Sequence, residues 1–423
     1  MGSPVQEIAM RKSQITRAER RRAEREALKL LQSPRFFNEF LHTVDRAGLV
    51  GEEQNALVLF VVMVSRILPH PLNAFVKGHS SAGKNWLVKR ILSLMPKSAV
   101  AEITSASEQA WNYSESDFRH RIVYLQERNE AAGTIDPIRL LISEGKLVRI
   151  VPKYVNGMLV TKKYVARGPV AAISTTTKNR LQIDDETRHI SIWCNESPDQ
   201  TREIVRSYTR QRKRLSRSER RIWHMVQHLL ENLVGTKVIF PTWFEEIANR
   251  LFVDDLRVRR YYPAFVEACR TVCLIRSFLP HRQYSKHNEL EVEFADFAIT
   301  ALILDPVFVE SLHLSKSAGE ETRRLVEKIF AEKGKPVQAT DLADRLGISL
   351  DRAYAKFRYA KQVGVIRRVN RSEQSNRKLY VATPRPRFVP DPEKLFQDLE
   401  NVKGPVRFVH PITGERIVYK RAG

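Results

Sequence analysis

The chain of 423 residues has little cysteine, little unbroken apolar sequence and too little acid to balance its bases. Three cysteines cannot build a disulfide scaffold for a chain this long and suit a reducing compartment, so a cytoplasmic location is expected. The longest apolar run, ALVLFVVMV at 56–64, is far short of the roughly 20 residues a bilayer span needs, and no membrane partner is expected. The opening MGSPVQEIAM leads into charge and holds no signal-peptide core. Internal repeats and long low-complexity tracts are also missing. Acidic residues number 48 against 71 Lys and Arg, a net charge of +23, with a pI near 10.0. Such a surface calls for a polyanion, and DNA is the expected partner.

What is present reads as several domains. Residues 1–45 form a basic arm, with RKSQITRAERRRAEREALKLL (11–31) as an exposed helix that is either simply solvated or a contact for DNA or another subunit. Residues 46–200 interleave short apolar strands with helical patterns, the mark of an α/β core. Residues 201–315 are helical and basic. Residues 316–385 follow the order of a winged helix-turn-helix, and 386–423 are a tail ending in a hairpin around Thr413-Gly414.

Within the core, GHSSAGKN (78–85) follows the apolar strand LNAFVKG and precedes the helical NWLVKRILSLM. Strand, glycine-rich turn, helix is the context in which backbone N–H groups cradle phosphates. Gly78, Ser80, Ser81, Ala82, Gly83, Lys84 and Asn85 are the expected ATP-binding residues, with Lys84 on the β- and γ-phosphates. Asn85 stands where a hydroxyl usually meets Mg²⁺. The strand RIVYLQE (121–127) brings Gln126 and Glu127 to its end. Gln126 can hold a metal-bound water but supplies no charge, so Asn85 and Gln126 are the expected Mg²⁺ side. Glu127 is the expected catalytic carboxylate, with Glu130 in reserve. Thr175 and Thr176 end the strand VAAISTT and either sense the γ-phosphate or cap a turn. Arg188 either completes a neighbouring subunit's site or pairs locally with Asp184, Asp185 or Glu186.

Between these strands, KLVRIVPKYVNGMLVTKKYVAR (146–167) has β-rich arms around Asn156-Gly157, a pair suited to a tight hairpin turn. Lys153, Lys162 and Lys163, with Tyr154 and Tyr164, can contact DNA phosphates and bases, or be an ordinary solvated hairpin. In the winged-helix segment, Arg352, Lys356, Arg358 and Lys361 on the recognition helix, and Arg367, Arg368, Arg371, Arg377 and Lys378 on the wing, are candidate DNA contacts. Cys269, Cys273, His281 and His287 imitate a zinc pattern, but the spacing from second Cys to first His is too short for a common finger, and the cysteines sit at i, i+4 on an apolar helix face.

The order of parts resembles an AAA+ P-loop ATPase with a hairpin before its sensor strand, as in minichromosome maintenance and superfamily 3 helicases. More closely, RLLISEGKLVRIV, VAAISTTT and NESPDQT resemble the helicase and primase-helicase proteins of phages, plasmids and integrating elements, over about residues 50–310. The resemblance implies a ring, expected to be hexameric, that hydrolyses ATP between subunits and moves DNA. Single-stranded DNA would lie in the channel against the hairpin, and duplex at the winged helix. By that resemblance Glu127 is catalytic, Thr175 or Thr176 the sensor and Arg188 the finger. Asn85 and Gln126 depart from the family pattern. They keep open a DNA-binding initiator, or a transposition or transcription regulator, that does not unwind DNA.

Overall fold

The computed structural model describes residues 16–103, 117–126, 137–155, 158–178, 181, 183–210, 214–251, 255–312, 317–362, 365–369, 378–383 and 387–421. Glu127, Glu130, Asn156, Gly157, Arg371 and Arg377 lie outside them. The described residues fall into two compact units, one from Met1–Asn249, Val258–Leu304 and Pro392–Gly423, the other from Arg250–Arg257 and Asp305–Asp391.

The first unit opens with helix α1 (Arg17–Leu31), which begins at a capping box: Thr16 Oγ1 accepts from the Glu19 N–H, and the Glu19 carboxylate accepts from the Thr16 N–H. Its arginine-rich side faces water. Ala23, Ala27 and Leu31, spaced by four, are buried, and Glu19 pairs with Arg221 at 3.2 Å. Helices α2 (Phe36–Arg46) and α3 (Glu53–Val64) follow. Every residue of α3 from Ala56 to Val64 is buried. A helix apolar on all sides has no outer face, so it lies within the core.

Next come β1 (Ala74–Lys77), α4 (Lys84–Leu92), β2 (Val100–Ile103), β3 (Arg121–Leu125), α5 (Pro137–Glu144), β4 (Lys146–Val155), β5 (Met158–Arg167), β6 (Val170–Thr176), α6 (Ile183–Glu186) and β7 (Ile190–Trp193). Five of the strands form a parallel sheet in the order β2-β3-β6-β1-β7. β1 and β6 are buried throughout, as expected for a parallel sheet covered on both faces. β6 is inserted between β1 and β3. All five strands point their carboxyl ends to one edge, where open α/β sheets hold their ligands.

β4 and β5 stand apart as an antiparallel ladder running from Lys146↔Arg167 to Val155↔Met158. Leu147, Tyr164 and Ala166 bury its base, while Ile150 and Met158 are exposed. Val151 pairs with Lys162 and Ile150 with Lys163. Because side chains alternate along a strand, the two lysines lie on opposite faces of the ladder.

The chain continues through α7 (Pro198–Thr209), α8 (Arg217–Glu231), β8 (Lys237–Ile239), α9 (Glu245–Asn249), α10 (Val258–Arg276), β9 (Glu289–Glu291) and α11 (Phe294–Ser311). Arg276 and Arg282 both reach the fully buried Asp296, and Arg282 also meets Glu293 at 2.9 Å. Burying these charges is tolerable because each has a partner. Cys273 Sγ accepts from the Arg282 guanidinium at 2.9 Å. Cys269 and Cys273 are fully buried while His281 and His287 are exposed. Among the described residues no group of His, Cys, Asp and Glu is placed to hold a metal ion, and no helix is long and apolar enough to cross a membrane.

In the second unit, α12 (Ser317–Lys333), α13 (Ala339–Leu346) and α14 (Leu350–Gln362) precede the antiparallel pair β10 (Ile366–Val369) and β11 (Leu379–Ala382). Val326, Ile329, Leu342, Phe357 and Tyr380 form its core. The tail, α15 (Pro392–Asp398), β12 (Val406–Val409) and β13 (Arg416–Tyr419), belongs to the first unit. The Asn38 amide there donates to the His410, Pro411 and Ile412 carbonyls.

Candidate active site

The loop between β1 and α4 is shaped by close approach and left-handed backbone. A Cβ on Gly78 would meet Glu196 Oε1 at 2.9 Å and Ala82 Cβ at 3.1 Å. Ser81 and Gly83 have φ of 70° and 83°, and the left-handed Gly83 starts α4, a conformation that glycine adopts without Cβ strain. Ser80 and Ser81 are exposed.

Lys84 is buried, 7% exposed. Its ammonium donates to the Gly78 carbonyl at 2.8 Å and the His79 carbonyl at 2.6 Å. Among the described residues no carboxylate lies within ion-pair distance of it. A buried cation hydrogen-bonded to neutral carbonyl oxygens favours an arriving anion, and the amino end of α4 adds its own positive field.

Glu196, in the segment between β7 (ending at Trp193) and the helix that starts at Pro198, was not foreseen. Its carboxylate accepts from the His79 N–H at 2.6 Å and meets His79 Nδ1 at 2.5 Å. The backbone N–H of His79 is the main cause holding this carboxyl below its usual range. An acid stands in the sequence there, but the adjacency of β7 to β1 that brings it to the loop carries no local signal. Beside it, burial pushes the Cys194 thiol up to about 12, which makes it no nucleophile.

At the expected metal side both side chains are neutral amides. Asn85 Oδ1 accepts from the Tyr124 hydroxyl at 3.1 Å. The Gln126 amide donates to Glu102 Oε1 at 2.7 Å, and Glu102 lies 3.6 Å from Lys89. Thr175 and Thr176 are buried opposite Val76 and Lys77, so β6 delivers both beside the start of the loop. Thr176 Oγ1 accepts from the Lys178 N–H at 3.1 Å, a turn contact. Lys77, fully buried at the end of β1, pairs with Glu186.

Arg188 sits at the other end of the sheet. It precedes β7, whose first residue Ile190 is level with Ala74 at the start of β1, and its Nε donates to Ser143 Oγ at 3.0 Å. Of the acids that could pair with it locally, Asp185 accepts from Arg139 at 2.8 Å. Arg188 lines a cavity of about 720 Å³ with Pro71, Ser143, His189, Arg260 and Glu267, and burial raises the Glu267 carboxyl. This cavity lies at the amino ends of the strands, away from the loop of residues 78–83.

On the ladder, Lys162 Nζ lies 4.7 Å from the centre of the Tyr164 ring, and Lys163 is exposed. Lys153 pairs with Val160 in the backbone register. In the second unit Arg352, Arg358, Lys361, Arg367, Arg368 and Lys378 are exposed, and Lys356 meets Glu321 at 3.3 Å. No family model matches the chain, and no curated protein matches it. Among solved structures, one from Aeropyrum pernix, the ORC1 protein in complex with DNA, is similar at a TM-score of 0.23 and 11% identity, over 83% of this chain and 93% of that one.

Proposed function

We propose that the chain is an ATP-hydrolysing motor that moves DNA, a helicase of a mobile genetic element that works as a ring of identical subunits. The observation that carries the nucleotide part is Lys84, a buried ammonium that donates to the Gly78 and His79 carbonyls at the mouth of a glycine-shaped loop and, among the described residues, has no carboxylate within ion-pair distance. Triphosphate would supply the missing anion. The parallel sheet supports the same reading, because β3 and β6 end at the edge where the loop opens. Glu127, which follows Gln126, is the proposed base for the attacking water, and Thr175 or Thr176 the proposed γ-phosphate sensor. Mg²⁺, when bound, would screen the phosphate charge, held on the protein side by the neutral oxygens of Asn85 and Gln126.

The ladder β4-β5 is the proposed DNA grip, with Lys162 beside Tyr164 on one face and Lys163 on the other. The second unit is the proposed winged helix, offering α14 and the wing arginines to duplex DNA. The alternative reading, a DNA-bound regulator that binds ATP and turns it over slowly or not at all, draws on one observation. Both metal-side positions lack charge, and their amide groups already have protein partners.

Steady-state ATP turnover with and without single-stranded DNA separates these readings. A motor shows turnover that DNA raises, and the doubly substituted Lys162→Ala, Lys163→Ala chain loses most of the stimulation while keeping its basal rate. Basal turnover near zero in both conditions, with tight ATP binding, would favour the regulator. Full stimulation in the double variant would return the ladder to an ordinary solvated hairpin.

A further inference from the structure

We infer that helix α7 is a separate contact for single-stranded nucleic acid, with Tyr208 as a stacking platform for a base and Arg202 and Arg206 on the neighbouring phosphates. The inference rests on the reading that the chain acts on DNA, and it adds a surface outside both the ladder and the second unit. Of the residues of α7, Gln200 alone is buried. On its outer side Tyr208 is 84% exposed and Val205 62%. At helical spacing Thr201, Val205 and Tyr208 share a strip, and Arg202, Arg206 and Arg210 form the next row beside it. An aromatic ring standing free beside a row of guanidiniums is the arrangement that holds single strands with little sequence preference.

The arginines are held lightly. Arg202 pairs with Asp199 at 2.6 Å, Arg206 with Glu203 at 2.8 Å and Arg210 with Glu203 at 3.3 Å. All are exposed pairs, of the kind that contributes little and exchanges readily for a phosphate. Charge chooses the occupant. Along α7 and its cap Arg202, Arg206 and Arg210 stand against Asp199 and Glu203, and the chain as a whole carries a net charge of +23, the balance of a surface for a polyanion rather than for an apolar groove on another protein.

The test uses the full chain, without nucleotide, titrated into fluorescein-labelled oligothymidine at several salt concentrations and followed by anisotropy. Tyr208→Ala should weaken binding about tenfold while Tyr208→Phe, which keeps the ring, binds like the wild type. Arg202→Gln with Arg206→Gln should flatten the slope of log affinity against log salt by about 1.4, the share of two neutralised single-strand phosphates. If the wild type binds and all three variants bind equally well with the same slope, α7 is not a nucleic-acid surface. If Tyr208→Ala instead changes the sedimentation coefficient and leaves DNA affinity alone, the strip belongs to a protein contact and the inference falls. A wild type that does not bind at all overturns the functional reading itself, a result distinct from the other two.

Discussion

Lys84→Ala is expected to abolish nucleotide-dependent behaviour, lowering ATP turnover by at least about a hundredfold, as the loss of a preorganised charge at a transferring phosphate does. The reason lies in what surrounds the side chain. The ammonium is buried, and its partners are the Gly78 and His79 carbonyls. Removing it leaves a ring of backbone groups whose anion affinity rests on N–H dipoles alone. If 78–85 were an ordinary turn, the same substitution would change stability slightly and turnover not at all.

Trp86 provides a reading of binding apart from turnover. It lies two residues after Lys84, 51% exposed, with the Arg90 guanidinium 3.5 Å from the centre of its ring and its Nε1 donating to the Gly48 carbonyl at 3.0 Å. Adding ATP to the wild type should change the indole emission, and Trp86→Phe should remove that change. The Lys84→Ala chain should show none at the same ATP concentration while still binding DNA. An emission change of wild-type size in Lys84→Ala would place the nucleotide elsewhere.

The strand, glycine-rich loop and helix from 74 to 92 were legible because their signals are local. Two glycines, a lysine, an apolar strand before and an amphipathic helix after all lie close together in sequence. The ladder was legible for the same reason, since two β-rich arms flank Asn-Gly, and the structure pairs them from Lys146 to Val155. The face on which each lysine falls needed the register, which the arms alone do not give. Lys77 would pass for a solvent-facing residue at the end of a strand. Only the pairing of β1 with both β6 and β7 buries it and sets Glu186 beside it. Glu196 was missed because it meets His79 across a long stretch of intervening chain. The return of the tail to α2, through Asn38 and the carbonyls of 410–412, was hidden by the same non-local pairing. Local elements could be read ahead of the fold, and sheet order could not.

Arg188→Ala is expected to bind ATP well and to hydrolyse it about a thousandfold more slowly, within the range that arginine fingers supply. On the β1/β7 register, such action is expected to cross a subunit boundary. β7 and β1 are parallel, with Ile190 level with Ala74 and Trp193 level with Lys77. Arg188 precedes the first of these pairs, and the loop follows the last. A strand of four residues spans roughly 13 Å, more than an arginine side chain can bridge. Within its own subunit the guanidinium is therefore expected to stand away from the proposed phosphate site, and Ser143 Oγ accepts from its Nε. Arg188→Ala mixed with Lys84→Ala creates interfaces that pair an intact loop with an intact arginine. Such mixtures should regain part of the wild-type turnover, most near equal proportions, although each variant alone is inactive. Gel filtration of a tagged and an untagged wild type must first show that subunits exchange. With exchange established, a mixture that stays inactive at every ratio would assign Arg188 to the local contact with Ser143, and the proposed shared site between subunits would have to be abandoned.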